Sequence, residues 1–421
     1  MLGALIVAAS APARAEPKLA PTLGDLLAAA RRSNLDVREQ ASVVDEREAT
    51  ARVERGSLWP RLSVSADYLH NQRDVAVDLP GGTGAPTVAT IQPYDQLDAT
   101  IELDIPLIDL GARRRTAAAV LDGAAARATR AVTVAEVERN VVRAYYQWAG
   151  GTALLGASLV ARQAASDNVA ILESRLRAGL AAELDVARAH SQVARADQTI
   201  ADAELTIATA RRTLHTLTAI EPAGDVPPLP SSTTAEAPLA IWLGAIGSAP
   251  EVASATASAE AADARASASR SGYAPIIGLV ARERLTNAAG FGSDATWTVG
   301  VNATWQLDRA TAARVDQSAA TVATAEIRIA HASLDVRDRI VDAWNQIDAL
   351  RARTAAAEAQ AAADHLAERV ASGKLGGGQA TQLDVVLAER DALNSDVALI
   401  QARADLAAAR ALLRLATGAQ P

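Results

Sequence analysis

The chain has no cysteine, one methionine and one phenylalanine among 421 residues. Without cysteine there is no disulfide, no thiolate metal centre and no thioether-linked lipid. Six Trp, five Tyr and one Phe are too few aromatics for a mixed globular core of this size, and the abundant alanine suits closely packed helices instead. Charge of one sign never accumulates. The 41 Lys and Arg are interspersed with 49 Asp and Glu, a formal net charge of −8, so no basic footprint for nucleic acid exists. After the first fifteen residues, no apolar run approaches the length of a spanning helix.

Chemistry-bearing constellations are also missing. Histidines 70, 190, 215, 331 and 365 have no metal-ligand spacing, and no nucleophile, base and orienting group recur together. The glycine runs at 81–84 and 376–378 do not sit between a strand and a helix in a phosphate-binding pattern, so both read as loops. Neither an enzyme nor a cofactor is expected.

What is present begins with "MLGALIVAASAPARA" (1–15), a short apolar run ending in Ala13-Arg14-Ala15, which has the form of a cleavable export signal. Further on, "ATIELDIPLIDLGARRR" (99–115) changes pattern halfway. Ala99, Ile101, Leu103 and Ile105 alternate with Asp98, Thr100, Glu102 and Asp104, so an extended chain carries an apolar row on one face and an acidic row on the other. Pro106 ends that alternation, Asp109 is placed to cap a helix, and no proline follows from Gly111 until Pro222. A strand runs into a very long helix.

The whole arrangement occurs twice. Pro60 in "LWPRLSVSADY" aligns with Pro275 in "GYAPIIGLVAR" at an offset of 215, as does Val37 with Val252. Farther along, "VVRAYYQW" (141–148) matches "IVDAWNQI" (340–347) and "LDVARA" (184–189) matches "LDVVLA" (383–388), both at 199. The first repeat covers 16–221 and contains a helix, strands near 61–70 and 97–107, a long helix over 111–178 and a helix over 183–218. A proline-rich linker at 222–238 precedes the second repeat, 239–418, with a helix, strands near 275–284 and 295–307, a long helix over 310–372 and a helix over 379–415.

The strands put Trp297, Val299, Val301, Ala303, Trp305 and Leu307 opposite Thr296, Thr298, Gly300, Asn302, Thr304 and Gln306. A half-buried sheet of a soluble domain would alternate in the same way. About ten residues is, however, also the span of a tilted membrane strand, and Trp and Tyr toward the ends match an interfacial girdle. Four strands cannot close a barrel alone, so several chains would have to share one. The 68 residues from Gly111 to Gly179 make a helix of about 100 Å, longer than a globular domain needs. Along it Val134, Val141, Trp148, Leu155, Val169 and Leu176 share one heptad register, with Arg162 as the exception, and Val137, Ala144 and Leu172 another. The fold class is therefore mainly α, with duplicated antiparallel helical hairpins and four strands per chain. Residues 71–96, between the first two strands, read as a loop, and Arg113, Arg114 and Arg115 as a solvated first turn or a contact with lipid headgroups.

With these residues on the page, the chain resembles the outer-membrane efflux proteins typified by TolC, over essentially all its length after the signal. "WPRLSVSADY" is similar to the family's start of its first strand, "LDIPLIDLGARRR" to the exit from the second, and "RLRAGLAAELDVARAHSQV" and "ASGKLGGGQATQLDVVLAERDAL" to its two helix tips. The resemblance implies a homotrimer in the outer membrane of a Gram-negative-type cell. Three chains would complete a twelve-stranded barrel, continued by a helical tunnel across the periplasm. It further implies a passive exit duct for a tripartite efflux pump or type I secretion system, with a periplasmic adaptor, an inner-membrane pump and outer-membrane lipid as partners. A periplasmic coiled-coil adaptor or scaffold is the alternative, though it has no use for lipid-facing strands.

On the same resemblance Asp98, Glu102 and Asp104 face the lumen, while Ile101, Leu103, Trp297, Val299 and Val301 face lipid. Gly179, Asp185, Gly373 and Asp384 lie at the periplasmic tips, with Asp384 matching the family's acidic constriction and Leu387 standing where the family has a second aspartate. From Gly373 to Asp384 is 11 residues against 6 from Gly179 to Asp185, so the second tip is expected to be longer.

Overall fold

The computed structural model describes residues 20–79, 87–224, 226, 228–230 and 235–417. The segment read as an export signal, 1–15, and the glycines at 81–84 lie outside the described residues. Helices α1 (Leu23–Ser33) and α2 (Leu35–Gly56) precede strands β1 (Arg61–His70), β2 (Val75–Leu79), β3 (Thr87–Gln92) and β4 (Asp95–Ile108). Then come α3 (Leu110–Arg177), α4 (Glu183–Thr218), a one-turn α5 (Leu239–Leu243), α6 (Pro250–Arg270), β5 (Ile276–Thr286), β6 (Ala295–Thr304), α7 (Arg309–Gly376) and α8 (Gln382–Ala416). No described helix is long and apolar enough to cross a membrane.

The long helices repeat one another. Both α3 and α7 have 68 residues and start 199 positions apart. The N-terminal segment, expected as a single helix, breaks at Asn34, whose backbone is extended and whose Oδ1 accepts from the N–H groups of Asp36 and Val37, capping α2. Thr22 and Asp25 close a capping box at the start of α1.

The described residues fall into two units. One, whose described residues fall within 20–40, 130–252 and 333–417, is helical with its core around Leu26, Leu27, Val37, Val137, Val141, Val142, Trp148 and Leu214. Full burial of each such Leu or Val contributes about 1.5–3 kcal/mol. Tyr145 meets Trp148 edge to face with centroids 6.3 Å apart. Along α4 the buried residues Ala189, Ala196, Ala203 and Ala210 recur every seventh position, the spacing of a coiled-coil seam in which small side chains let backbones approach. Near the linker, Trp242 and Trp344 both donate their indole N–H to the carbonyl of Ala237, at 3.2 and 3.1 Å.

The second unit, 41–129 and 253–332, holds the strands and the adjoining helical segments. A four-stranded antiparallel sheet has the order β1-β4-β5-β6, and β2 and β3 form a separate two-stranded ribbon. The ribbon corrects the reading of 71–96 as a loop throughout. "VAVDL" and "TVATIQ" supply the β-branched residues that favour pairing, and Asn71 and Gly290 bond the flanking turns through Tyr94 O and Thr90 O. Pro106 does not end β4. It lies beyond the last β1 partner, where Arg61 pairs with Asp104, so its missing N–H interrupts no ladder on that side, and the register shifts between Pro106 and Ile108. Strand β6 stops at Thr304 and not at Leu307, because β5 begins at Ile276 and Pro275 has no N–H to continue the pairing.

Candidate functional site

The register fixes which residues share a face. Val64, Ile101, Glu283 and Trp297 form one row across the four strands, and Leu62, Leu103, Ala281 and Val299 the next. Val301 follows beside Leu279 and Ile105. Successive side chains of a strand point to opposite faces, so all of these lie on one side, and Glu283 is the single charged residue among them. Leu62, Val64, Trp297, Val299 and Val301 are between 60% and 72% exposed, an apolar surface that the rest of the chain does not cover. Toward the loop end of this face, Tyr68 donates to Asp95 at 2.8 Å and His70 meets the same carboxylate at 2.9 Å.

The opposite face is polar and charged. Arg61, Asp104, Val280 and Gly300 form one row, Ser63, Glu102, Arg282 and Thr298 the second, and Ser65, Thr100, Arg284 and Thr296 the third. The three carboxylates singled out in the sequence are here, and each is paired with an arginine. Arg282 reaches Glu102 through Nε at 2.7 Å and Nη2 at 2.5 Å, Arg284 reaches Asp98 at 2.7 Å, and Arg61 lies 3.4 Å from Asp104. Gln96 adds a bond to Asp98 at 2.6 Å. An acidic row, as the alternation of β4 alone suggests, becomes in the sheet a set of charge pairs.

Where β4 gives way to α3, Asp109 Oδ1 accepts from the N–H of Ala112 at 2.7 Å and caps the helix. At the start of α7, Asp308 does the same for Thr311. Two of the three arginines of the first turn make contacts within the chain. Arg115 lies 3.4 Å from Glu54 and 4.0 Å from Asp109, and Arg114 bonds Ser267.

The two tips are built alike. After α3, Gly179 has φ +73°, Leu180 N–H bonds Arg175 O and Gly179 N–H bonds Leu176 O. After α7, Gly378 has φ +70°, Gln379 N–H bonds Lys374 O and Gly378 N–H bonds Leu375 O. These are Schellman-type ends, in which the glycine takes the left-handed conformation. Gly373 is therefore not the turn residue. It lies inside α7, which continues to Gly376, and the second tip is no longer than the first: six positions separate Gly378 from Asp384, as six separate Gly179 from Asp185. Glycine inside a helix costs only about 1 kcal/mol relative to alanine, less than the packed hairpin supplies, so the glycine run does not end the helix early.

Asp384 and Asp185 occupy the third position of α8 and α4. Asp384 Oδ2 accepts from the N–H and the hydroxyl of Thr381, both at 2.7 Å, while Thr381 Oγ1 accepts from the Asp384 N–H at 3.3 Å. These bonds to Thr381 hold the exposed carboxyl below the usual range. Asp185 makes the weaker half of such a box, accepting from Ala182 N–H at 3.4 Å, since alanine offers no hydroxyl.

Between α7 and α8 the ring of His365 stands between two carboxylates, with Nδ1 3.1 Å from Glu368 and Nε2 2.9 Å from Asp396. Glu389 lines the same cavity of about 130 Å³ and accepts from Asn168 at 3.4 Å. The bonds to Asp396 and Glu368 push His365 above its ordinary value, and burial beside Glu368 pushes Glu389 up. Among the described residues, no group of His, Asp and Glu is arranged to hold a metal ion.

Residues 26–219 and 244–419 match the family described as Outer membrane efflux protein. The chain belongs to this family. The outer membrane efflux protein BepC of Brucella suis biovar 1 is 32% identical over 188 residues, 44% of this chain and 41% of that protein. The chain thus aligns with about two-fifths of that relative's length. Of solved structures, CusC is 17% identical with a TM-score of 0.78 over 94% of this chain and 92% of its own. VceC of Vibrio cholerae is 19% identical with a TM-score of 0.77 over 95% and 97%. The fold of these two structures is the fold of this chain.

For a member of the outer membrane efflux protein family, the sequence reading identified the two faces of the sheet from β4 and β6 but missed the basic half of the polar face. Arg282 and Arg284 sit in β5, whose alternation is loose, and their one available signal was the i, i+2 spacing that puts both on the same face of a strand. Gly378, Thr381 and the pairing of His365 with Asp396, 31 residues away, were missed as well. The offset of 199 that relates the helices, applied to Gly179, gives Gly378 and not Gly373.

Proposed function

We propose that three copies of the chain join β1 of one to β6 of the next and form a twelve-stranded barrel in the outer membrane. The barrel would serve as the exit duct of a tripartite efflux pump or type I secretion system. The observation that carries this reading is the four-stranded sheet with one apolar and one charged face, whose outer strands β1 and β6 each have an unpaired edge. Neither edge nor the exposed apolar face is tolerable in water, and closure by symmetry removes both problems at once. Ile101, Leu103, Trp297, Val299 and Val301 then face lipid, and Asp98, Glu102 and Asp104 with their arginines face the lumen. The hairpins of α3, α4, α7 and α8 continue the wall into the periplasm, where Asp185 and Asp384, with the turn glycines Gly179 and Gly378, form the inner tips. An adaptor docks there, and an inner-membrane pump supplies the energy.

Transport in this reading is passive. The protein binds and aligns nothing for covalent chemistry, and its work is to offer a water-filled path through a lipid wall. A periplasmic adaptor or scaffold would use the helical hairpins but would leave the two-faced sheet without a role. Fractionation tests the proposal. Detergent extracts of the outer membrane are expected to yield a heat-resistant species of three times the chain mass. A monomer in the soluble periplasmic fraction would overturn it.

A further inference from the structure

Resting on the reading of the charged sheet face as lumen, we propose that Arg282 and Arg284 set the charge selectivity of the barrel. By pairing with Glu102 and Asp98, they keep the duct open to anionic and zwitterionic solutes as well as to cations. The described strands place four carboxylates on this face, Asp67, Asp98, Glu102 and Asp104, against three arginines, Arg61, Arg282 and Arg284. Each arginine is needed for that near balance. Without the two on β5, one basic group per chain would remain against four acids, and threefold repetition would make the excess a belt of negative charge around the pore. Rings of like charge of this kind decide which ions enter a channel.

The geometry identifies these arginines as pore groups and not only as sheet clamps. Their side chains remain 52% and 50% exposed while Glu102 and Asp98 are 25% and 16% exposed. In each of these two pairs the guanidinium is therefore the more exposed partner, and the one presented to a passing solute. Arg282 is held in its row by Glu102 on one side and faces Thr298 on the other, so the cation stands between a carboxylate and a neutral residue. Arg284 sits likewise between Thr100 and Thr296 and leans along the sheet to Asp98. Within a Debye length of about 10 Å at 0.1 M salt, a small solute in the lumen would feel these groups directly.

The test uses purified full-length trimers in planar bilayers under a KCl gradient. The double variant R282Q/R284Q should raise the permeability of K⁺ relative to Cl⁻ several-fold, whereas R282K/R284K, which keeps the charge but loses the fork, should stay near wild type. A reversal potential unchanged in the Gln variant, with trimers formed normally, would overturn the proposal. So would an equal change in the Lys variant, which would assign the effect to sheet geometry. The lumen reading is checked separately in a chain that has no native cysteine. A cysteine at Thr298 should let a charged, water-soluble thiol reagent alter the current, and one at Val299 should not. Reaction at Val299 alone would overturn the lumen reading and this inference together.

Discussion

Gly179 and Gly378 stand 199 residues apart, with φ +73° and +70°, and each ends a 68-residue helix with the same pair of backbone bonds. The duplication is thus kept at the level of single hydrogen bonds, even though the sequences of the two tips differ at most positions.

Glycine is required at only one place in the second tip. An added Cβ at Gly373 meets nothing within 4 Å, and the helix there is regular, so Gly373→Ala should stabilise the hairpin by about 1 kcal/mol. Gly378→Ala places an L side chain in the left-handed region and should cost about 1–2 kcal/mol. Limited proteolysis of the tip reads both. Cleavage should slow in the first variant and quicken in the second, and the reverse order would contradict the assigned turn.

The two faces of β6 should respond oppositely to charge. Val299→Arg puts a guanidinium on the apolar face, at about 2–4 kcal/mol near a bilayer midplane, whereas Thr298→Arg, one residue along, points to the polar face. Loss of heat-resistant trimer in the first variant and its retention in the second are expected. Equal tolerance would mean that the apolar face does not meet lipid.

These faces were legible in the sequence because β4 and β6 alternate cleanly, and a period of two leaves no choice of side once the register is set. Arg282 and Arg284 were not, since their meaning depends on which strand lies beside β5, and nothing local states that Glu102 is its neighbour. The tip failed for a different reason. "GGG" is a strong local turn signal, but a long packed helix overrides it for its first glycine, which still lies in α7. The β2–β3 ribbon was hidden by the prolines and glycines around it, while its own residues carry ordinary strand character.

His365 ties α7 to α8 through Asp396 and to its own helix through Glu368, with Glu389 of α8 as the remaining titratable group of the cavity and Gln192 of α4 its neutral neighbour. Its pKa lies above the ordinary 6.5, so the stabilisation is complete below that value and is lost as pH rises through the raised one. Glu389, also raised, acts in the same sense, because the folded state holds its proton longer than the unfolded chain does. The histidine is half-buried, with 40% of its side chain exposed, so solvent screening should keep the effect under about 1 kcal/mol. Hydrogen-exchange protection factors along 365–396, which divide out the base-catalysed rise of the intrinsic rate, should fall as pH is raised above 6.5, and His365→Gln should flatten that dependence. An unchanged profile in the variant would assign the pH response to other groups.

Asp384 has two roles that a single substitution would confuse. Its Oδ2 is committed to the capping box with Thr381, and its carboxyl is held ionised by those bonds, yet the group is exposed at the tip where the proposed trimer axis runs. If three copies converge there, the charges form a ring that binds cations from the periplasmic side, and they do so without losing the cap. Thr381→Val removes the hydroxyl but keeps the carboxylate, whereas Asp384→Asn keeps an acceptor for the Thr381 N–H and removes the charge. In planar bilayers, Asp384→Asn should relieve block by divalent cations and increase conductance, while Thr381→Val should leave block unchanged and make the tip more sensitive to protease. Asp185, whose cap is weaker and whose N-cap residue Ala182 has no hydroxyl, allows a cleaner comparison, since Asp185→Asn should change block with little effect on proteolysis. If Asp384→Asn alters proteolysis alone and Thr381→Val reproduces it, the carboxylate is a helix cap only, and the acidic constriction is absent from this tip.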